Sequence, residues 1–251
     1  LGDLENAKLL IDTFPDDEKE EEIQKIELEI NLSFNNFDFV CSNIDEKLKR
    51  YRSNLYWKKI QIFCQILNDE INKANLGLSL IKEDKNFNDD DFLSILDNLI
   101  YKEDIDGSQF QDINLLNLAM TRIGKITLSD VTSFNDDPLF LSMLYGMPNV
   151  SIETRITALE KSQKLISIPK NTIEEIYNSY EVKGNEMKFP LDNEFVDLGP
   201  ATQAILYQRA IKEVNIENKA KILKKALDIA LEHKSYSLIV QLNLETILEI
   251  K

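Results

Sequence analysis

Gly2-Asp3-Leu4-Glu5-Asn6-Ala7, Asn35-Asn36-Phe37-Asp38-Phe39-Val40 and, more loosely, Asn68-Asp69-Glu70-Ile71-Asn72-Lys73-Ala74 are three passes of one pattern. Each pass has a turn-forming Gly or Asn, then a polar cap, then the start of an apolar helical run. The passes begin at residues 2, 35 and 68, a constant spacing of 33. A fixed period of this size marks stacked helical repeats, in which each repeat buries its apolar face against the next. The pattern predicts an all-α chain built as a right-handed α-α superhelix, a solenoid of antiparallel helix hairpins.

Composition points the same way. The 251 residues include only 7 Gly and 6 Pro, whereas the turns of a many-stranded sheet would use more of both. Hydrophobic residues make up 43% and charged residues 29%, which is ordinary for a globular chain and argues against disorder. The formal net charge of −15 repels nucleic acid phosphates and anionic lipid, so neither is an expected partner. No apolar run approaches the roughly 18 residues that a membrane span requires. The chain opens Leu-Gly rather than Met, which reads as a fragment or a processed form.

The helical reading runs along the whole chain. Helices are expected over Asp3 to Thr13, from Asp16-Asp17 to about Leu32, over Asn36 to Arg50, after a Ser53 cap, after an Asp69 cap and after Asp89-Asp90-Asp91. The second helix carries the apolar stripe Ile23, Ile26, Leu28 and Ile30, and its acidic start from Asp16 to Glu22 reads as a solvated face. From Lys102 to Asp137 the pattern weakens to one short apolar helix over Asn114 to Ile123. Further helices are expected after Pro138, after Ser151, after Pro169, over Ala201 to Val214, over Asn218 to Glu232 and over Tyr236 to Ile250. Val182 to Leu198 forms the longest break, with Phe189, Phe195 and Val196 expected to tuck against the helices. The resulting divisions are 1–101, 102–150 as an irregular connector, and 151–251 packing on the same solenoid.

Gly2-Asp3…Ala7 and Asn35–Val40 resemble the hairpin turn and second-helix start of tetratricopeptide (TPR) repeats, where a small residue opens the second helix beside its partner. The resemblance covers about 80 residues. Pro15 comes earlier than the repeat-ending Pro, and the first-helix Trp–Leu–Gly signature is absent. Tyr56-Trp57…Phe63-Cys64-Gln65 also resembles uncharacterised bacterial helical-repeat proteins, which implies the cytoplasm or periplasm of a bacterium. The TPR resemblance implies a solenoid whose concave face holds an extended peptide or a partner helix.

A search for chemistry returns little. His233 is the only histidine, and Glu232-His233-Lys234 reads as a helix end rather than as part of a nucleophile–base pair. No Gly-rich phosphate loop and no Cys/His cluster occurs, so no cofactor or metal is expected. A calcium loop anchored on Asp106-Gly107 would put Lys102 and Ile113 in coordinating positions, which neither side chain can fill. Glu153, Glu160, Glu174 and Glu175 read as solvated helix faces. Cys41 and Cys64 lie on apolar helical faces and could meet across adjacent helices; two buried thiols are expected rather than a disulfide.

One stretch stands apart from the acidic background: Lys47-Leu48-Lys49-Arg50-Tyr51-Arg52, followed by Trp57-Lys58-Lys59. Basic residues interleaved with aromatics suit a single nucleic acid strand. A cationic helix C-terminus that complements its dipole explains the same residues more simply. Tyr51, Arg52, Tyr56 and Trp57 are the candidate partner-binding residues, because aromatics and Arg are the typical hot-spot types; Trp57 is also read as a core residue. The expected function is non-catalytic protein–protein recognition or scaffolding, with a protein or peptide partner that the acidity inclines to be basic. The alternative is a helical ligand-binding or carboxylate-based enzyme domain with segments 102–137 and 182–198 as its lid.

Overall fold

The computed structural model describes residues 4–15, 19–110, 113–128, 137–183, 186, 199 and 201–250. Among them the chain is all-helical. Its fourteen α-helices are α1 (Leu4–Ile11), α2 (Glu21–Ser33), α3 (Phe37–Ser42), α4 (Ile44–Arg50), α5 (Leu55–Leu67), α6 (Ile71–Lys82), α7 (Asp90–Tyr101), α8 (Leu115–Gly124), α9 (Pro138–Tyr145), α10 (Ile152–Ser162), α11 (Lys170–Asn178), α12 (Ala201–Lys212), α13 (Ile216–Glu232) and α14 (Tyr236–Glu249). A short 3-10 turn spans Gly107–Gln109. No helix among the described residues is long and apolar enough to cross a membrane. The chain divides into two compact units, one of Leu4–Met143 with Met147–Asn149 and one of Leu144–Gly146 with Val150–Lys251.

The repeated turns have one geometry. Asn35, Asp69 and Lys234 each adopt a left-handed backbone, with φ of 56°, 61° and 58°. In each turn the residue after the left-handed one donates its N–H five residues back: Asn36 to Asn31 O at 2.8 Å, Glu70 to Gln65 O at 2.7 Å, and Ser235 to Ala230 O at 2.9 Å. This is the bond that closes a helix C-terminus and satisfies its free carbonyls. The next helix then starts one residue later, at Phe37, Ile71 and Tyr236. Gly2 and Asp3, which begin the first echo, lie outside the described residues, and its Leu4–Ala7 part opens α1.

In the first unit α5 packs on α6, α7 on α8, and α2 on α3, so neighbours in the chain pair as hairpins. α2 also packs on α8, joining elements far apart in the chain. Trp57, Ile60, Phe63, Ile81, Phe92, Ile95, Leu96 and Leu118 have no exposure and form the core. Asp89 caps α7, its Oδ1 accepting from Phe92 N at 2.8 Å, as the acidic triplet implies.

Several expectations for this unit are corrected. The single helix over Asn36 to Arg50 is two, broken at Asn43, whose φ and ψ are −123° and 19°. Just before the break Ser42 Oγ donates back to Phe39 O at 2.9 Å, the local bond by which short polar side chains compete with helix propagation. α5 is capped by Asn54 rather than Ser53, and α6 by Glu70 rather than Asp69. Leu28 and Ile30 of the expected stripe are buried, but Ile26 is exposed and Gln24, Glu27 and Asn31 take core positions. They are accommodated because they are bonded: Lys19 Nζ meets Glu27 Oε1 at 2.6 Å, Gln24 Nε2 donates to Lys19 O, and Asn31 Nδ2 donates to Glu27 O. Asp16 and Asp17, the expected cap, lie outside the described residues.

Cys41 and Cys64 are joined by a disulfide, not left as two thiols. α3 packs on α5, which brings their Cα atoms to 5.5 Å, within bonding range.

In the second unit α12 packs on both α11 and α13, and α14 closes on α11, α12 and α13. α12 is buried over nearly its whole length, and its polar side chains reach backbone carbonyls: Gln203 Nε2 donates to Ala226 O and Gln208 Nε2 to Tyr177 O and Tyr180 O. α13 starts at Ile216 on an Asn215 cap, two residues earlier than expected. Phe189, Phe195 and Val196 lie outside the described residues.

Candidate functional site

The basic-aromatic stretch becomes a surface cleft of about 520 Å³, lined by Glu21, Lys49, Arg50, Tyr51, Arg52, Ser53 and Asn54. Its floor follows from how α4 meets α5. α4 ends at Arg50, Tyr51 N donates to Lys47 O at 2.8 Å, and Asn54 N donates to Tyr51 O at 3.0 Å, so residues 51–54 form a tight bend. Asn54 then starts α5 by accepting from Tyr56 N with its side-chain oxygen at 2.9 Å.

The structure separates the four candidate residues. Trp57 is wholly buried beneath the bend. Tyr51 is half-buried and stacks on Trp57, with ring centroids 5.9 Å apart and planes at 17°. Tyr56 is half-buried and meets Trp57 edge-on at 5.3 Å. Arg52 is exposed at the mouth of the cleft. The surface of the cleft therefore offers Tyr51 and Arg52, while Trp57 supports them from below.

Glu21 is the wall that sequence reasoning does not find. One of its oxygens accepts from Trp57 Nε1 at 3.0 Å and from Asn54 Nδ2, and it pairs with Lys25 at 3.4 Å. Burial pushes its carboxyl pKa up, but the hydrogen bonds from Trp57, Lys25 and Asn54 and the Lys25 charge outweigh this and leave it lowered. Glu21 is thus an ionised carboxylate turned toward the protein. Its hydrogen-bond partners Asn54 and Trp57 lie 33 and 36 residues away, so no local pattern announces its place in the cleft.

The cations of the stretch divide by partner. Lys47 Nζ reaches Gln24 Oε1 at 2.8 Å, Lys58 pairs with Asp84 at 3.7 Å, and Lys59 pairs with Asp89 at 2.6 Å beside the rings of Phe87 and Phe92. Lys49, Arg50 and Arg52 pair with no carboxylate among the described residues; Arg50 lies over the Tyr51 ring at 5.4 Å. Lys49 and Arg50 sit in the last turn of α4, where cations complement the helix dipole.

A second, acidic cleft of about 620 Å³ is lined by Asn88, Asp89, Asp90, Asp91, Ser94, Ile105, Asp106, Gln109, Phe110 and Asn114. Acid–base chemistry needs two titratable groups whose pKa values are driven apart. Asp89 is engaged by Lys59, Asn117 and the α7 cap, and Asp106 is lowered by the Ser108 side chain and backbone N–H. The lowered Asp106 carboxyl is thus kept ionised rather than held as a general acid. No group of His, Cys, Asp and Glu among the described residues has the arrangement of a metal site. Asp106 instead caps the 3-10 turn by accepting from Ser108 N at 3.0 Å.

The carboxylates of the second unit are also taken up in packing. Glu160 is half-buried rather than solvated and accepts from the buried Tyr177 hydroxyl at 3.1 Å. Glu174 pairs with Lys170 at 3.6 Å, and Glu153 and Glu175 are exposed. Burial, followed by the charge of Glu174, pushes the Tyr207 phenol up to about 12. His233 is exposed at the C-terminal end of α13.

Comparison of the chain with protein-family models, with curated proteins and with solved structures finds no match.

Proposed function

We propose that this chain is a non-catalytic protein-recognition or scaffolding module, built from TPR-like helix hairpins in a right-handed α-α arrangement. The observation that carries this reading is the Lys49–Asn54 cleft. It presents a half-buried aromatic and three cations that pair with no carboxylate among the described residues, resting on a bend fixed by Trp57, Glu21 and Asn54. Aromatic and Arg side chains on a rigid support are what interface hot spots are made of. The closing bond shared by the Asn35, Asp69 and Lys234 turns supports the hairpin reading. The packing of α2 on α8 in the first unit and of α14 on α11 in the second goes beyond a strictly nearest-neighbour stack. Away from the cleft the net charge of −15 favours a basic partner surface.

The test is site-directed photo-crosslinking from position 53, at the exposed Ser53 of the cleft, in the full chain, followed by affinity capture. The expected result is one protein cross-linked in proportion to its concentration and lost in the Tyr51→Ala/Arg52→Ala chain. Absence of any cross-linked protein from the cell type of origin counts against the reading.

A further inference from the structure

We infer that the Lys49–Asn54 cleft binds a short acidic stretch of a partner polypeptide, read through the Asp or Glu carboxylates of that stretch. This assignment rests on the recognition reading above and adds to it the chemistry of the ligand at this one place.

The inference starts from which cations are already used. The chain has 44 acidic and 29 basic residues, and some of its cations are already engaged by a carboxylate. Lys25, Lys58, Lys59, Lys73, Lys170, Lys219 and Lys221 are all paired. Lys49, Arg50 and Arg52 line one cleft and have no such pair among the described residues. The carboxylate in the cleft's own lining, Glu21, is already engaged by Trp57, Asn54 and Lys25. The cleft is therefore a local positive site inside a negative field. The two guanidinium groups bring the planar fork of donors that matches a carboxylate.

A peptide fits better than nucleic acid for two reasons. A single strand is gripped by stacking bases on open aromatic faces. Here Trp57 is wholly buried and Tyr51 is occupied by Trp57 and Arg50. A strand would also continue past the cleft over an acidic surface, where screening over about 10 Å leaves the repulsion of nearby carboxylates in force. Asp45, Glu46, Glu20 and Glu22 are exposed or half-buried on the two helices that flank the site. A peptide can confine its charge to two or three residues and leave the surface again.

The experiment uses the full chain and a short fluorescein-labelled Asp/Glu peptide. The controls are its Asn/Gln counterpart and an oligothymidylate of similar length. Anisotropy should show saturable binding of the Asp/Glu peptide only, weakened at least about 5-fold when salt rises from about 0.05 to about 0.2 M. Lys49→Glu/Arg52→Glu should weaken it at least about 10-fold and Lys49→Gln/Arg52→Gln by an intermediate factor. Trp57, the only tryptophan, lies directly under the cleft, so unchanged emission shows that each variant is folded. Equal binding of the Asn/Gln peptide, tighter binding of the oligothymidylate, no saturable binding, or an unaffected charge-reversed variant each overturns the assignment. A partner captured equally by wild-type and charge-reversed chains ends the assignment but leaves the recognition reading standing. Peptide binding without any captured partner does the reverse.

Discussion

Trp57 Nε1 donates to Glu21 Oε1 at 3.0 Å, tying the first turn of α5 to the first turn of α2 across 36 residues of chain. Removing the acceptor strands a donor in the core, since Trp57 has no exposure. Glu21→Ala should cost about 1–3 kcal/mol, and Glu21→Gln, which keeps an acceptor, clearly less. For a chain of this size each kcal/mol lowers Tm by about 2–4 °C. Thermal unfolding followed by Trp57 emission measures both; equal Tm values for wild type and Glu21→Ala would show that the bond contributes nothing.

Glu21 and Glu29 should respond to pH with opposite signs. The Glu21 pKa is lowered from 4.5, so the stability it contributes is complete above that value and is lost as pH falls through the lower folded pKa. The Glu29 pKa is raised, by burial first and then by Asp137, with Tyr56 and Lys25 opposing. A raised carboxyl favours folding while protonated, below 4.5, and that contribution is lost as pH rises through the folded pKa. Glu29→Gln should therefore raise Tm at neutral pH and give no gain near pH 4, whereas Glu21→Gln should lower Tm at neutral pH and matter less in acid. Parallel Tm–pH profiles for the two variants would refute the assignment.

The Cys41–Cys64 disulfide predicts no free thiol in the unfolded, unreduced chain, because these are the only two cysteines. Reduction, or Cys41→Ser/Cys64→Ser, should lower stability by about 2–4 kcal/mol for a loop closed over 23 residues. Thiol titration in denaturant and the shift in urea midpoint give the two readings. Two reactive thiols in protein purified under oxidising conditions would refute the bond.

Lys102, Lys125 and Lys234 hold φ of 60°, 55° and 58°, a region that costs an L-residue roughly 1–2 kcal/mol. Gly at Lys125 or Lys234 should raise stability by about 0.5–1 kcal/mol, once the extra freedom glycine brings to the unfolded chain is counted. Val at the same positions should destabilise by about 1 kcal/mol or more. A Cβ at Gly124, beside Lys125, would force the Asn98 side-chain oxygen to shift. Urea midpoints of the four variants decide the matter, and a destabilising Lys234→Gly would contradict the turn geometry.

The helical class was legible because its signals are local. Scarce Gly and Pro, the Asp89 cap and the period in the turns all act within one or two helical turns of chain. The turn period was found through Asn35 and Asp69, and the looser echo at Lys234 carries the same closing bond. Helix boundaries were less legible where short polar residues compete for the backbone, as at Ser42-Asn43 and at Ser53-Asn54. Periodicity misjudged α2, because it treats polar residues as outward-facing, whereas Gln24, Glu27 and Asn31 are buried with partners from other segments or from their own helix.

Of the candidate site, the sequence by itself determined the residue types: a basic-aromatic run at the end of one helix and the start of the next. It also determined that this run is an exception in an acidic chain. Only the tertiary structure decided which of those residues face outward. Trp57 went to the core because the α2–α5 contact offered its N–H the Glu21 carboxylate, and Lys47, Lys58 and Lys59 were each drawn to a partner from another segment. Lys49, Arg50 and Arg52 have no such carboxylate among the described residues. Pairing depends on which distant segments arrive within about 4 Å, and that distance is set by packing, not by order along the chain.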